Sequence, residues 1–158
     1  MKVESIVLGS IGTNCYIVTN EETKECFAVD MAECPQEYVN YIKNNGLEMK
    51  ALFLTHGHFD HAMAAQEVAE QYGIKIYAHE TEKETLETPQ INLSGMIGRT
   101  LTFHADCYVK DGAILNLAGF EIRVLHTPGH TQGGVCYYIE EEKALFSGDT
   151  LFLSLIHI

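Results

Sequence analysis

Seven consecutive residues, Thr55-His56-Gly57-His58-Phe59-Asp60-His61, limit what this chain can become. They place three histidines and an aspartate within six positions, directly after the apolar run Ala51-Leu52-Phe53-Leu54. Such a run reads as a buried strand. Imidazole nitrogen and carboxylate oxygen are donors that suit zinc, iron or manganese. His56, His58 and Asp60 are therefore expected on the turn leaving the strand, with His61 opening a helix. On an extended turn alternate residues project to one side, so His56 and His58 can grip one ion while Asp60 and His61 face a neighbouring position. Asp60 is also a candidate N-cap for the helix that follows.

The rest of the chain alternates strands and helices, which predicts an α/β layered domain. Strands are expected over Val3–Leu8, Cys15–Val18 and Glu25–Asp30, spaced as an antiparallel meander. A helix is expected over 35–45, with Pro35 at its first position and Gly46 just beyond its end. Ala62, Ala65, Val68, Ala69 and Tyr72 recur at helical spacing, and Gly73 stops that helix. Ile74–Ala78 reads as a short strand, and Glu80–Glu87 as a charged surface helix ending before Pro89. Ile91–Gly98, of mixed polarity, is a candidate loop near the site. Ile114–Leu117 and Phe120–Leu125 form a hairpin pair around Ala118-Gly119. Val135–Ile139 and Ala144–Ser147 complete the strands. Asp30 reads either as a support behind the metal ligands or as a residue that merely ends its strand.

Two later stretches, Thr127-Pro128-Gly129-His130-Thr131 and Phe146-Ser147-Gly148-Asp149-Thr150-Leu151-Phe152, stand in a fixed order behind the first. With His-x-His-x-Asp-His after a hydrophobic strand, they resemble the metallo-β-lactamase fold superfamily, and within it the hydroxyacylglutathione hydrolase (glyoxalase II-like) branch. The resemblance implies an αββα sandwich. It implies that His56, His58 and His130 bind a first metal, that Asp60 and His61 bind a second, and that Asp149 bridges the two. Two zinc ions occupy the complete family site, and iron or manganese is compatible with the same donors. The implied reaction is hydrolysis of a thioester such as a hydroxyacylglutathione, by attack of metal-bound hydroxide, with Asp60 orienting the water or accepting its proton. Two alternatives remain: a mononuclear iron oxidoreductase resembling persulfide dioxygenases, and a metal-binding fragment without catalysis. Flavodiiron proteins are disfavoured, since they carry Glu where this chain has His58.

Composition narrows the partners. A formal charge of -12, with acids spread along the chain, disfavours nucleic acid, which needs basic patches. Cys15, Cys26, Cys34, Cys107 and Cys136 are odd in number and scattered, the pattern of reduced, buried thiols in a cytoplasmic protein. The N-terminus lacks the apolar core of a signal peptide, and no run approaches membrane-spanning length. The expected partner is a small-molecule thioester, with no nucleic acid and no membrane. Leu153-Ser154-Leu155-Ile156-His157-Ile158 matches the translation of a sequencing-adapter end. Residues 1–152 are therefore expected to be a hydrolase domain incomplete at its C-terminus, and 153–158 a non-native tail. On that expectation the second site lacks one histidine, and the chain holds about one ion tightly.

Overall fold

The computed structural model describes residues 1–151, so the expectation placed on Leu153–Ile158 lies outside the described residues. Two sheets lie face to face. The first is built from β1 (Lys2–Leu8), β2 (Thr13–Thr19), β3 (Glu25–Val29), β4 (Glu48–Phe53), β5 (Lys75–His79) and β6 (Cys107–Val109), hydrogen-bonded in that order. β1, β2 and β3 form the expected antiparallel meander, whereas β3 to β6 run parallel. The second sheet is antiparallel, in the order β10 (Ala144–Phe146), β9 (Val135–Ile139), β8 (Phe120–His126) and β7 (Ile114–Leu117).

Side-chain alternation explains the layering. In β8, Phe120, Ile122 and Val124 are buried against the first sheet while Glu121 and Arg123 face out, the period of a half-buried strand. β4 has no polar face at its end because both its sides are covered. Ala51 and Phe53 enter the core between the sheets, and Leu52 and Leu54 enter the core beneath the helices. Phe53 packs edge-on against Phe27 at 5.1 Å between ring centroids and tilted against Tyr137 at 4.9 Å, tying the two sheets together. The helical core joins Leu52, Ile76 and Ala28 to Tyr38 and Ile42 of helix α1 (Gln36–Asn44), and to Val68 of helix α3 (Ala65–Tyr72). The result is an α/β layered domain, two stacked sheets with helices packed on the first.

Four local expectations are corrected. The helix expected from His61 to Tyr72 is two helices, α2 (Phe59–Ala62) and α3, parted at Met63-Ala64. Met31 causes the break, since its N–H donates to the His61 carbonyl at 2.7 Å and its own carbonyl accepts from Ala64 N–H at 3.0 Å. Asp60 lies inside α2 and caps nothing; His58 holds the N-cap position. Pro35 likewise sits at the N-cap of α1, one residue before the expected place. The segment after β5 is a short 3-10 turn, Glu80–Glu82, leading into α4 (Lys83–Glu87). It is not all surface, because Glu82, Thr85 and Leu86 are buried. Among the described residues no helix is long and apolar enough to cross a membrane. The five cysteines are unpaired, with Cys15, Cys26 and Cys136 buried. Burial pushes the thiols of Cys15 and Cys26 up to about 12, which keeps them protonated and inert.

Candidate metal centre

Parallel strands gather loops at their carboxyl ends, which is where open α/β sheets bind ligands. β3 delivers Asp30 there, β4 delivers Thr55 to His61, and β5 delivers Glu82. The second sheet adds His130 from the loop between β8 and β9, and Asp149 from the 3-10 turn Gly148–Thr150 after β10. Gly148 has φ +48°, and a Cβ there would stand 2.3 Å from Thr55 Oγ1. Only glycine lets the Asp149 turn close onto the His56 loop.

The imidazoles meet ring to ring. His56 lies 4.7 Å from His58, 4.1 Å from His61 and 4.8 Å from His130 between centroids, and His58 lies 4.6 Å from His130. Two ligand sets result, His56 with His58 and His130, and His56 with His61 and Asp149, each with donor atoms within 4.8 Å of one another. Asp149 joins the sets, one oxygen 3.3 Å from His61 Nε2 and the other 3.4 Å from His130 Nε2. Asp60 stands at the edge of the second set. Its Oδ2 is 3.5 Å from His61 Nε2 and accepts a hydrogen bond from Thr13 Oγ1 at 2.9 Å. The six candidate residues thus come together, with Asp60 in neither three-ligand set.

The donors fit a cation. Burial, reinforced by His61, His58 and His130, holds the His56 imidazole well below its ordinary pKa. Burial and the neighbouring His130 lower His58 to about 4. Both rings are therefore neutral at pH 7 and present lone pairs. Burial opposes the charge on His61, but the carboxylates of Asp30, Asp149 and Asp60 outweigh it and raise that ring to about 10. A His61 proton thus occupies the place a second cation would take. The His61 hydrogen bond, assisted by His130 and His58, holds Asp149 below the usual carboxylate range against the opposing effect of burial.

These shifts act on stability in opposite directions. His58 prefers to be neutral in the fold, so its contribution is present above pH 6.5 and lost as pH falls toward 4. His61 prefers its charge, so its contribution is present below 6.5 and lost as pH rises toward 10. The thermal midpoint of chelator-treated protein should therefore peak near pH 6.5, and His61→Gln should flatten the alkaline side. A midpoint that stays level up to pH 10 in the parent protein would contradict the His61 pairing.

Behind the ligands, Asp30 is almost fully buried and has φ +58°. Its carboxylate accepts from Thr55 N–H and Thr55 Oγ1, both at 2.7 Å, and holds His61 Nδ1 at 2.8 Å. Both readings of Asp30 are realised: it ends β3 and it orients a candidate ligand. His126 and His79 lie outside the cluster and stack on each other at 4.1 Å. A groove of about 640 Å³ opens beside His58 and His130, walled by Glu84, Gln90, Ile91, Leu93 and Gln132. The Ile91–Gly98 segment thus contributes directly to the site, fixed by the buried Asn92, whose side chain donates to the carbonyls of Leu86 and Leu101.

Residues 8–156 match the family described as the Metallo-beta-lactamase superfamily. The chain belongs to that superfamily. A Bacillus subtilis protein named "Probable metallo-hydrolase YqgX" is 36% identical over 96% of this chain and 72% of its own length. The Haemophilus influenzae hydroxyacylglutathione hydrolase GloC is 31% identical over 96% of this chain and 73% of its length. The crystal structure of the B3 metallo-beta-lactamase BLEG-1 superposes with a TM-score of 0.88 at 37% identity, covering 96% of this chain and 73% of that one. Fold, superfamily and donor set together make this a metal-dependent hydrolase of the metallo-β-lactamase type.

Proposed function

We propose that the chain hydrolyses a thioester, of which a hydroxyacylglutathione is the leading example, with His56, His58 and His130 holding one metal ion and His61, Asp149 and Asp60 serving a second beside it. The observation that carries this reading is the pair of ligand sets meeting at His56, with His58 and His130 of the first set lining the groove. The donor set suits zinc, and also iron or manganese. A metal bound there supplies Lewis acidity, lowering the pKa of water and polarising a carbonyl.

The chain's own residues do the rest. Asp30 fixes the His61 ring through Nδ1 and leaves Nε2 turned toward Asp149. Thr55 holds the Nδ1 side of His56 at 3.2 Å, so that its Nε2 faces the cluster. Asp60, partly exposed and anchored by Thr13, is placed to accept a proton from the attacking water. Ile91 and Leu93 give the groove apolar contact for an acyl or thiol chain, and Gln90 and Gln132 add amides for hydrogen bonding. A thiol leaving group departs as thiolate, its pKa being about 8.5, and asks no proton of the groove.

The test is to load the protein with zinc, iron or manganese and assay a hydroxyacylglutathione, a chromogenic β-lactam and glutathione persulfide in parallel. Thioester turnover that disappears with chelation and returns with metal is expected. Turnover of the β-lactam alone, or oxygen consumption on the persulfide with iron alone, would replace this reading.

A further inference from the structure

A buried acid outside both ligand sets ties the ligand loops together. Glu82 is fully buried at the end of the 3-10 turn after β5, and among the described residues it has no ion-pair partner. Its carboxylate instead accepts hydrogen bonds from two loops at once. Oε1 accepts from Gly57 N–H at 2.8 Å, between His56 and His58. Oε2 accepts from Thr131 Oγ1 at 3.0 Å and Gly133 N–H at 2.6 Å, just beyond His130. The approach is so close that a Cβ on Gly133 would lie 2.5 Å from Oε2 and 2.4 Å from the Glu82 nitrogen.

Burying a carboxylate without a cation is costly unless its oxygens are well supplied with donors. Here backbone and hydroxyl donors take that part, and apart from the nearby Thr85 hydroxyl each comes from a loop carrying a metal-ligand candidate. The His130 side chain is more than a third exposed, and among the described residues its ring meets His56, His58 and Asp149. Its position relative to His56 and His58 therefore depends on how its loop is held. We infer that Glu82 is a positioning residue, setting the separation between the His56–His58 loop and the His130 loop at which a metal ion is gripped. This rests on the metal centre of the proposed function and not on the thioester substrate.

The conservative variant Glu82→Gln tests it. Glutamine keeps the size, but its NH2 group must face an N–H donor on one side, so one loop is released. The readouts are the affinity of the purified protein for Zn2+ by competition with a chromogenic chelator, and the visible absorption of the Co2+ form, which reports ligand geometry. The expected result is an affinity lower by about 10- to 100-fold, the range in which partners behind the ligands act, together with a changed Co2+ spectrum. Ile122→Ala, in the core between the sheets, should lower the thermal midpoint and leave both readouts at the parent values. Parent affinity and spectrum in Glu82→Gln would overturn the inference. Should that variant not fold, Thr131→Val removes one donor to the same carboxylate at nearly unchanged volume, and parent values there overturn it equally. A parent protein that binds neither Zn2+ nor Co2+ would remove the metal centre and this inference together, an outcome separate from failure of the variant alone.

Discussion

Replacing His56 by alanine should strip the protein of the ion held with His58 and His130, whereas replacing His58 should leave the set of His56, His61 and Asp149 whole. His56 is the one residue common to the two sets. Its loss leaves His58 with His130 alone on one side, two ligands where zinc sites keep at least three from the protein, and His61 with Asp149 and the outlying Asp60 on the other. Partners behind a ligand already cost about 10- to 100-fold in affinity, so loss of the shared ligand should exceed ~100-fold and take hydrolysis below detection. The fold should tolerate the change, because the ring removed is one that burial and three neighbouring imidazoles already hold neutral. Elemental analysis after dialysis, with a thermal scan of the same samples, reads both effects. Equal residual metal in His56→Ala and His58→Ala would show that the set of His56, His61 and Asp149 holds no ion by itself.

The sequence carried the first half of the site openly and the second half only through its resemblance to a family. His56, His58 and His61 are legible because three imidazoles and a carboxylate fall beside a strand whose uniform apolarity follows from burial on both faces. His130 and Asp149 sit in ordinary-looking turns, and nothing in local spacing says that the second sheet folds them onto His56. Glu82 was hidden for a stronger reason. It stands in a run of acids and lysine, and in such a run every local rule assigns a charged side chain to water. What buries it is the pair of loops that close over the end of β5, each bringing a backbone N–H. The helix break at Met63-Ala64 has the same origin, since the apolar period runs on unbroken while the backbone of Met31 intercepts the chain. β6 is three residues long, too short for periodicity, and exists because β5 offers a parallel edge. The fold was thus readable wherever side-chain periodicity decides structure, and unreadable wherever a distant backbone group does.

Asp30→Ala should be among the most destabilising single changes in the metal-free protein. Three groups lose their acceptor at once: Thr55 N–H, Thr55 Oγ1 and the His61 ring. Removing one partner of a buried ion pair costs about 3–5 kcal/mol when the other charge is left alone, and Asp149 and Asp60, which still face His61, place the loss toward the lower end of that range. Alanine also tolerates the left-handed backbone at φ +58° less well than aspartate, whose side chain bonds locally there. Asp30→Asn separates the causes. It keeps the backbone conformation and one acceptor oxygen but removes the charge, so Thr55 stays partly held while the His61 pKa falls from about 10 toward its ordinary value. Urea unfolding at pH 7 should therefore rank the parent above Asp30→Asn and Asp30→Ala last, with Asp30→Asn showing a shallower alkaline decline in stability than the parent, since Asp149 and Asp60 still face His61. A loss under about 1 kcal/mol in Asp30→Ala, the scale of one ordinary hydrogen bond, would mean that the Thr55 and His61 contacts do not hold the β3 and β4 ends together. The position would then be a strand end and nothing more.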